Sequence, residues 1–325
     1  MISATHVAPH VALYDLHPPL DDFRSEVLHG LMQPQKFFSP KFLYDKRGAE
    51  LFDAICTLDE YYLTRTEMAI LRTHASEIAE LIGDGALIEF GSGSSQKIRI
   101  LLDAMPQLPT YVALDISKQH LQESCLDLVA AYPGLETIAI CTDYTQPIAL
   151  PKIPHLQAKH KVGFFPGSSI GNLEPNEAVK FLRNAATLLQ PKGSLLIGVD
   201  LKKSKEILEP AYNDAKGISA DFALNILVRM NRELNADFNL NQFRYDAFYN
   251  PIGRIEMYIV SLADQVVHLD GTEISFKKDE TLRTEYSYKY STEEFQDLAR
   301  SAGFVSQHVW TDAAQLFSVH YLSLV

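Results

Sequence analysis

Two glycines one residue apart, Gly91 and Gly93, close the apolar run "ALIEF" and open an amphipathic run that reads as a helix containing Ile98, Ile100, Leu101 and Leu102. A glycine turn between strand and helix lets the backbone approach a ligand closely. A dinucleotide fingerprint needs a third glycine where Gln96 stands, and a phosphate-cradling loop needs a Gly-Lys-Ser/Thr ending; neither is present. Carboxylates follow at successive strand ends: Glu89 just before the loop, Asp115 about twenty residues on at the end of "YVALD", and Asp143 at the end of "AICTD". Asp115 can accept both hydroxyls of a ribose, and Asp143 can accept from an exocyclic adenine amine. Such a set would repel a polyphosphate and suits a nucleoside that carries a positive charge. The chemistry it indicates is binding of a sulfonium nucleoside, S-adenosylmethionine, in preference to NAD or ATP.

These groups need a scaffold that brings strand ends to one edge. "ALIEF", "TYVALDI", "ETIAICTD", "KVGFFPG" and "GSLLIGVDL" read as buried strands, with "SKQHLQESCLDLVAAY" and "NEAVKFLRNAATLL" as helices between them. Such alternation predicts an α/β fold, a parallel sheet with helices on both faces. "STEEFQDLARSAG" reads as a helix opened by a capping box at Ser291 and Glu294, feeding the strands "FVSQHVW" and "FSVHYLSLV". The link between those two is too short for a helical crossover, so the last strand is placed antiparallel. Ahead of the first strand the chain reads as irregular and then helical. Phe23, Val27, Leu28 and Leu31 share a helical face, "GAELFDAIC" follows, and Thr64-x-x-Glu67 is a capping-box pattern for "TRTEMAILRTHASEIAELI". A block from roughly 204 to 288 begins helical ("AYNDAKGISADFALNILVRMNREL") and turns strand-like ("RIEMYIVSLADQVVHL", "TEISF", "TEYSYKYS"). An insertion there is a natural place for a substrate-binding subdomain, or equally a decoration of the sheet.

Composition narrows the class. A chain of 325 residues can form one large domain or two smaller ones. A net charge of -12 argues against a nucleic-acid partner, which requires a basic face. Cys56, Cys125 and Cys141 show no CxxC spacing, and the eleven histidines form no HExxH or HxH cluster, so neither a disulfide framework nor a metal site is expected. No secretory leader and no apolar run of membrane-spanning length is legible, which gives the expectation of a cytoplasmic monomer without a membrane partner.

The chain resembles the histidine N-alpha-methyltransferases of ergothioneine biosynthesis, which make hercynine, the trimethylated betaine of histidine. The resemblance is carried by "LYDKRGAELFDAICTLDEYYLTRTE", "EFGSGSSQKIRILL", "ALDIS", "GSSIGNLEP", "AYNDAKGISADFALNILVRMNRELNADF", "RIEMYIVS" and "TEYSYKYS". It implies a class I (Rossmann-like) methyltransferase domain, a mostly parallel seven-stranded sheet with an antiparallel last strand, over residues 61–200 and 289–325. A substrate-binding subdomain would come from a helical part at 1–60 and the insertion at 201–288. On the cofactor side it implies Gly91 and Lys97 at the glycine loop, Asp115 at the ribose, Asp143 at the adenine and Tyr61 at the methionine moiety of S-adenosylmethionine. On the substrate side it implies that Tyr44 and Glu285 hold the imidazole of L-histidine and that Asn172 and Tyr212 bind its carboxylate and amine. Gly167, Ser169, Phe52 and Met257 would be pocket walls. Ser287, two residues after Glu285, shares its face if that segment is a strand. Two positions depart from the family pattern, Ala49 for a serine and Asp59 for a proline, and neither is expected to touch a ligand.

Read without the resemblance, Tyr44 and Tyr61 would be aromatics packing helix on sheet, Asn172 a turn residue or cap, Glu285 a solvent-facing strand residue and Met257 core. With it, Tyr44, Asn172 and Tyr212 form the expected catalytic set, acting by positioning. No obligatory general base is expected, because a nearby sulfonium disfavours the ammonium form of the attacking amine. The alternatives are an N-methyltransferase of another amino acid, a silent S-adenosylmethionine sensor and a nicotinamide oxidoreductase. The intact imidazole set speaks against the first two, and the missing third glycine against the last.

Overall fold

Strand Ala86–Phe90 is buried along its whole length, as a strand covered on both faces of a parallel sheet must be. In this computed structural model, which describes residues 5–8, 10–16, 20–150 and 160–325, it lies near the middle of a nine-stranded sheet. The order is Thr5–Ala8, Val11–Asp15, Glu136–Cys141, Thr110–Asp115, Ala86–Phe90, Lys161–Phe165, Ser194–Asp200, Phe317–Leu324, Phe304–Thr311. From Val11–Asp15 to Ser194–Asp200 all pairings are parallel. Phe317–Leu324 runs antiparallel to both neighbours, as the short link requires.

The seven expected strands are present, and the sheet extends beyond them. Residues 1–60, read as helical, begin otherwise: Val11–Asp15 pairs with Glu136–Cys141, and Thr5–Ala8 pairs antiparallel with Val11–Asp15. Val11 and Leu13 are buried. Strands of four and five residues are too short for periodicity to reveal. The helix from residue 20 to 31 follows, on the face set by Phe23, Val27 and Leu31.

The chain divides into two compact units. The first comprises residues 1–17, 63–202 and 288–325; the second comprises 18–62 and 203–287. In the first, helix Pro175–Leu189 opens with Pro175 and a reciprocal Glu174–Glu177 capping box. Its Phe181 packs on Phe165 and Phe90, with ring centroids 4.5 and 5.5 Å apart. Helix Thr292–Ser301 carries the expected capping box, with Ser291 and Glu294 each accepting the other's backbone N–H. The capping box at Thr64 and Glu67 is not formed. Helix Tyr62–Ile82 already contains Thr64, and Glu67 is buried with partners far along the chain.

The second unit holds a four-stranded sheet, Lys36–Phe37, Thr281–Tyr288, Arg254–Ser261, Phe243–Asn250, and a separate hairpin, Gln265–Leu269 with Thr272–Phe276. Helices Lys46–Ile55, Lys205–Tyr212 and Ile218–Glu233 belong to the same unit. Along Thr281–Tyr288, Leu282 and Thr284 are buried on one side and Glu285 and Ser287 on alternate positions of the other. Glu285 is therefore not solvent-facing. No helix among the described residues is long and apolar enough to cross a membrane.

Candidate active site

The glycine loop of the first unit is shaped by left-handed backbone. Gly91 and Gly93 have φ of +74° and +48°, and Ser95 follows at +57°. The N–H groups of Gly91 and Ser92 both donate to Leu114 O, at 2.8 and 3.1 Å, so the loop folds over the end of the neighbouring strand. There Asp115 reaches back. Its Oδ2 accepts from Gly93 N at 3.0 Å and its Oδ1 from Ser117 N at 2.9 Å. Burial raises the Asp115 pKa, and these N–H bonds oppose the rise. The next strand end is tied in through Thr142 N donating to Asp115 O at 2.8 Å. Asp143 is buried and accepts from Thr145 N and Thr145 Oγ1 at 3.0 and 2.6 Å.

Asp115, Asp143 and the loop are thus joined at one sheet edge. A carboxylate oxygen has more than one acceptor site, so these bonds leave capacity for hydroxyls and an amine. The buried Ser92 hydroxyl, between the two glycines, has no hydrogen-bond partner among the described residues, the kind of orphan that a bound polar ligand satisfies. On these observations the residues fit an adenosyl cofactor.

Glu89 departs from its expected part. It receives the Tyr111 hydroxyl, and burial pushes its pKa up to about 8. At neutral pH it is mostly uncharged and does not repel anions as the sequence reading supposed.

A second loop of the same unit follows strand Lys161–Phe165. Gly167 and Ser168 have φ of +83° and +59°, and a 3-10 turn spans Ser169–Asn172. Ser169 Oγ donates to Pro166 O at 3.1 Å, and Asp200 N donates to Ser168 Oγ at 2.9 Å. Lys97, in the first turn of helix Gln96–Ala104, pairs with Glu67 at 2.7 Å.

In the second unit the expected residues meet as a chain of rings. Tyr44 lies 5.6 Å from Phe52 and 5.4 Å from Phe222, Phe52 lies 6.4 Å from Tyr61, and Tyr61 lies 6.0 Å from Tyr212. Most of these contacts are edge-on, the geometry that aromatic quadrupoles favour. Asp45 follows Tyr44 in the chain. It caps helix Lys46–Ile55 through Gly48 N at 2.8 Å and takes Asn225 Nδ2 and Arg232 at 2.8 and 2.7 Å. Burial would raise its pKa, but Arg232, Gly48 and Asn225 together hold it below the usual value.

Tyr212 ends helix Lys205–Tyr212 and is held at both ends. Its hydroxyl shares a 2.9 Å hydrogen bond with Ser287 Oγ, and its carbonyl accepts from Tyr245 Oη at 2.9 Å. Burial, then the field of Glu285, keeps the Tyr245 hydroxyl protonated. Met257 is buried on the adjoining strand, and its carbonyl accepts from Thr284 Oγ1 at 3.0 Å.

The structure therefore brings Gly91, Lys97, Asp115, Asp143, Gly167, Ser169 and Asn172 into the first unit, and Tyr44, Phe52, Tyr61, Tyr212, Met257, Glu285 and Ser287 into the second. Sequence reasoning missed Asp45, Glu67, Phe222 and Tyr245. Asp45 alone had a usable signal, an Asp placed three residues before Gly48 at the start of a helix. Among the described residues no cluster of histidine, cysteine or carboxylate side chains could hold a metal ion.

Comparison with known proteins gives a family and close relatives. Residues 23–324 match the family described as histidine-specific methyltransferase, SAM-dependent. Histidine N-alpha-methyltransferase of Mycolicibacterium smegmatis is 40% identical over 302 residues, covering 91% of this chain and 93% of that protein. The enzyme of the same name from Mycobacterium tuberculosis is 36% identical with the same coverage. Ergothioneine biosynthesis protein 1 of Neurospora crassa is 33% identical over 86% of this chain, which spans 32% of that longer protein.

Proposed function

We infer the reaction from this premise: the chain belongs to the family of histidine-specific, S-adenosylmethionine-dependent methyltransferases. It transfers three methyl groups from S-adenosylmethionine to the α-amine of L-histidine, giving hercynine for ergothioneine biosynthesis. The observation that carries this reading is the likeness to histidine N-alpha-methyltransferases along nearly the whole chain, with acidic groups at adjoining strand ends beside a glycine loop.

Bound S-adenosylmethionine supplies an electrophilic methyl group on a sulfonium. Asp115 accepts the ribose hydroxyls and Asp143 the adenine amine, Gly91 and Lys97 serve at the glycine loop, and Tyr61 contacts the methionine moiety. The second unit supplies Tyr44, Phe52, Tyr212, Met257, Glu285 and Ser287 to the substrate side. Glu285 and Tyr44 take the imidazole, Ser287 shares the face of Glu285, and Asn172 and Tyr212 orient carboxylate and amine. Gly167, Ser169, Phe52 and Met257 bound the pocket.

Methyl transfer from a sulfonium is an in-line displacement that needs no covalent enzyme intermediate, so alignment and exclusion of water are the main levers. The α-amine attacks as the neutral base; a neighbouring sulfonium lowers its pKa. Each round leaves more bulk and finally a permanent cation. The faces of Tyr61 and Phe52 favour that cation by roughly 0.5–2 kcal/mol each. A cytoplasmic monomer that binds neither nucleic acid nor membrane completes this reading, supported by the net charge of -12.

Mass spectrometry of the purified protein with S-adenosylmethionine and each standard amino acid in turn tests the assignment. Gain of three methyl groups by histidine alone is the expected outcome. Methylation of a different amino acid overturns the imidazole set but keeps the cofactor. Cofactor binding with no turnover on any amino acid points instead to a sensor.

A further inference from the structure

We propose that Glu67 is a positioning residue for methyl transfer, whose single carboxylate holds Lys97, in the first turn of the helix after the glycine loop, and Gly167 of the second loop in fixed relation. The proposal rests on the reading of Lys97 as a cofactor group and of Gly167, Ser169 and Asn172 as substrate groups. Glu67 sits in helix Tyr62–Ile82 and is 1% exposed. Gly167 N donates to Glu67 Oε1 and Oε2 at 3.0 and 2.9 Å, and Lys97 Nζ pairs with Oε2 at 2.7 Å. The neighbouring strand makes room for the carboxylate: a Cβ on Gly198 would lie 2.1 Å from Glu67 Oε1.

Three elements distant in sequence thus converge on two oxygen atoms. Burying a carboxylate is costly unless it is paired and hydrogen-bonded. Apolar groups of similar volume often replace a buried pair without loss of stability, so stability alone does not account for an acid here. A carboxylate offers two oxygens, enough to accept from both an ammonium and the N–H of a residue at φ +83°. Both partners belong to segments assigned to ligands, where small displacements of reacting groups carry large rate penalties.

The test uses Glu67→Gln and Glu67→Ala, each alone and combined with Lys97→Met. The readouts are calorimetric titration of S-adenosylhomocysteine, steady-state kinetics with each substrate varied, and thermal melting. Glutamine keeps an oxygen that accepts from Gly167 but removes the charge beside Lys97. Glu67→Gln is expected to melt like the wild type and to weaken S-adenosylhomocysteine about tenfold, with the histidine KM kept within about threefold. Glu67→Ala removes both contacts and is expected to lower kcat/KM for both substrates by about a hundredfold. Because Glu67 acts on the cofactor through Lys97, Glu67→Gln should add no further loss of affinity to Lys97→Met.

Unchanged affinity in Glu67→Gln, additive losses in the double variant, or kinetic losses that follow only the melting temperature each overturn the proposal. A wild-type protein that fails to bind S-adenosylhomocysteine rejects the cofactor reading beneath it, and the proposal falls with that reading. Wild-type binding beside an unaffected Glu67→Gln rejects the role of Glu67 alone.

Discussion

In the first unit, Asp115 is fixed by main-chain N–H groups of Gly93 and Ser117, and Asp143 by Thr145. In the second, Tyr44, Phe52, Phe222, Tyr61 and Tyr212 meet ring against ring, and Tyr212 is also hydrogen-bonded to Ser287 and Tyr245. On the proposed assignment most cofactor groups come from backbone turns and strand ends, which the topology of a parallel sheet supplies whatever the substrate. Most amino-acid groups on that assignment are side-chain identities, which a single substitution can change. A conserved chemistry with an adjustable specificity is what such a division allows. Losses confined to one ligand support the division, and shared losses break it.

The largest separation is expected for Glu285→Ala. Leaving the imidazole N–H without its partner should weaken histidine by about a hundredfold or more, while S-adenosylhomocysteine affinity stays near wild type. Equal losses of both ligands in calorimetric titration would break the comparison at its strongest point. Asp115→Ala should do the converse. Removal of a ribose acceptor costs about 1–3 kcal/mol of cofactor affinity and should leave the histidine KM nearly unchanged at saturating cofactor; an unaltered cofactor Kd removes Asp115 from the site.

Tyr212→Phe is a finer probe. It deletes the hydrogen bond to Ser287 and keeps the edge-on ring contact with Tyr61, so kcat/KM for histidine should fall by about 2–10-fold. A loss in cofactor binding of the same size would place Tyr212 on both sides.

The smallest effect concerns stability rather than ligands. The Glu89 carboxyl has its pKa raised from 4.5 to about 8 by burial. The folded state then holds more protons than the unfolded state across that interval, so stability falls as pH rises through it. His320, buried against Phe295, has its pKa lowered from 6.5 to about 4. Its contribution is complete above about pH 7.5 and is lost as pH falls through 6.5 toward 4, opposite in sign to that of Glu89, so comparing the wild type with Glu89→Gln between pH 6.5 and 8 separates the two. Glu89→Gln should flatten the decline of melting temperature in that window, and parallel profiles for the two proteins would refute the assignment.

How much could be read in the chain follows the same division. The alternation of strands and helices around Gly91, the antiparallel strand Phe317–Leu324 and the Ser291 capping box all rest on local patterns that the structure keeps. Glu67 shows where such patterns fail. Thr64-x-x-Glu67 looks like a cap, yet the acid answers to Gly167, a hundred residues on. Glu89 looked like a strand-end charge because nothing local reveals that Tyr111, on the adjoining strand, takes it up. Glu285 alternates like an exposed residue, and only tertiary packing buries it. Phe222 and Tyr245 carry no signal beyond apolarity, and their parts emerge only when ring meets ring and hydroxyl meets carbonyl. The substrate side became legible through family motifs, since pairings made across long sequence separations leave no periodic trace.

Strand Phe317–Leu324 lies between Ser194–Asp200 and Phe304–Thr311, and this has a bearing on biosynthesis. On a translating ribosome, Ser194–Asp200 emerges more than a hundred residues before the strand that must pair with it. Until then that strand presents an open edge, the sort of surface that invites wrong pairing. The sheet is sealed only when its latest-made segment slots into an interior position, so a nascent chain that stalls short of it carries an unfinished domain and a ready target for chaperones or proteases.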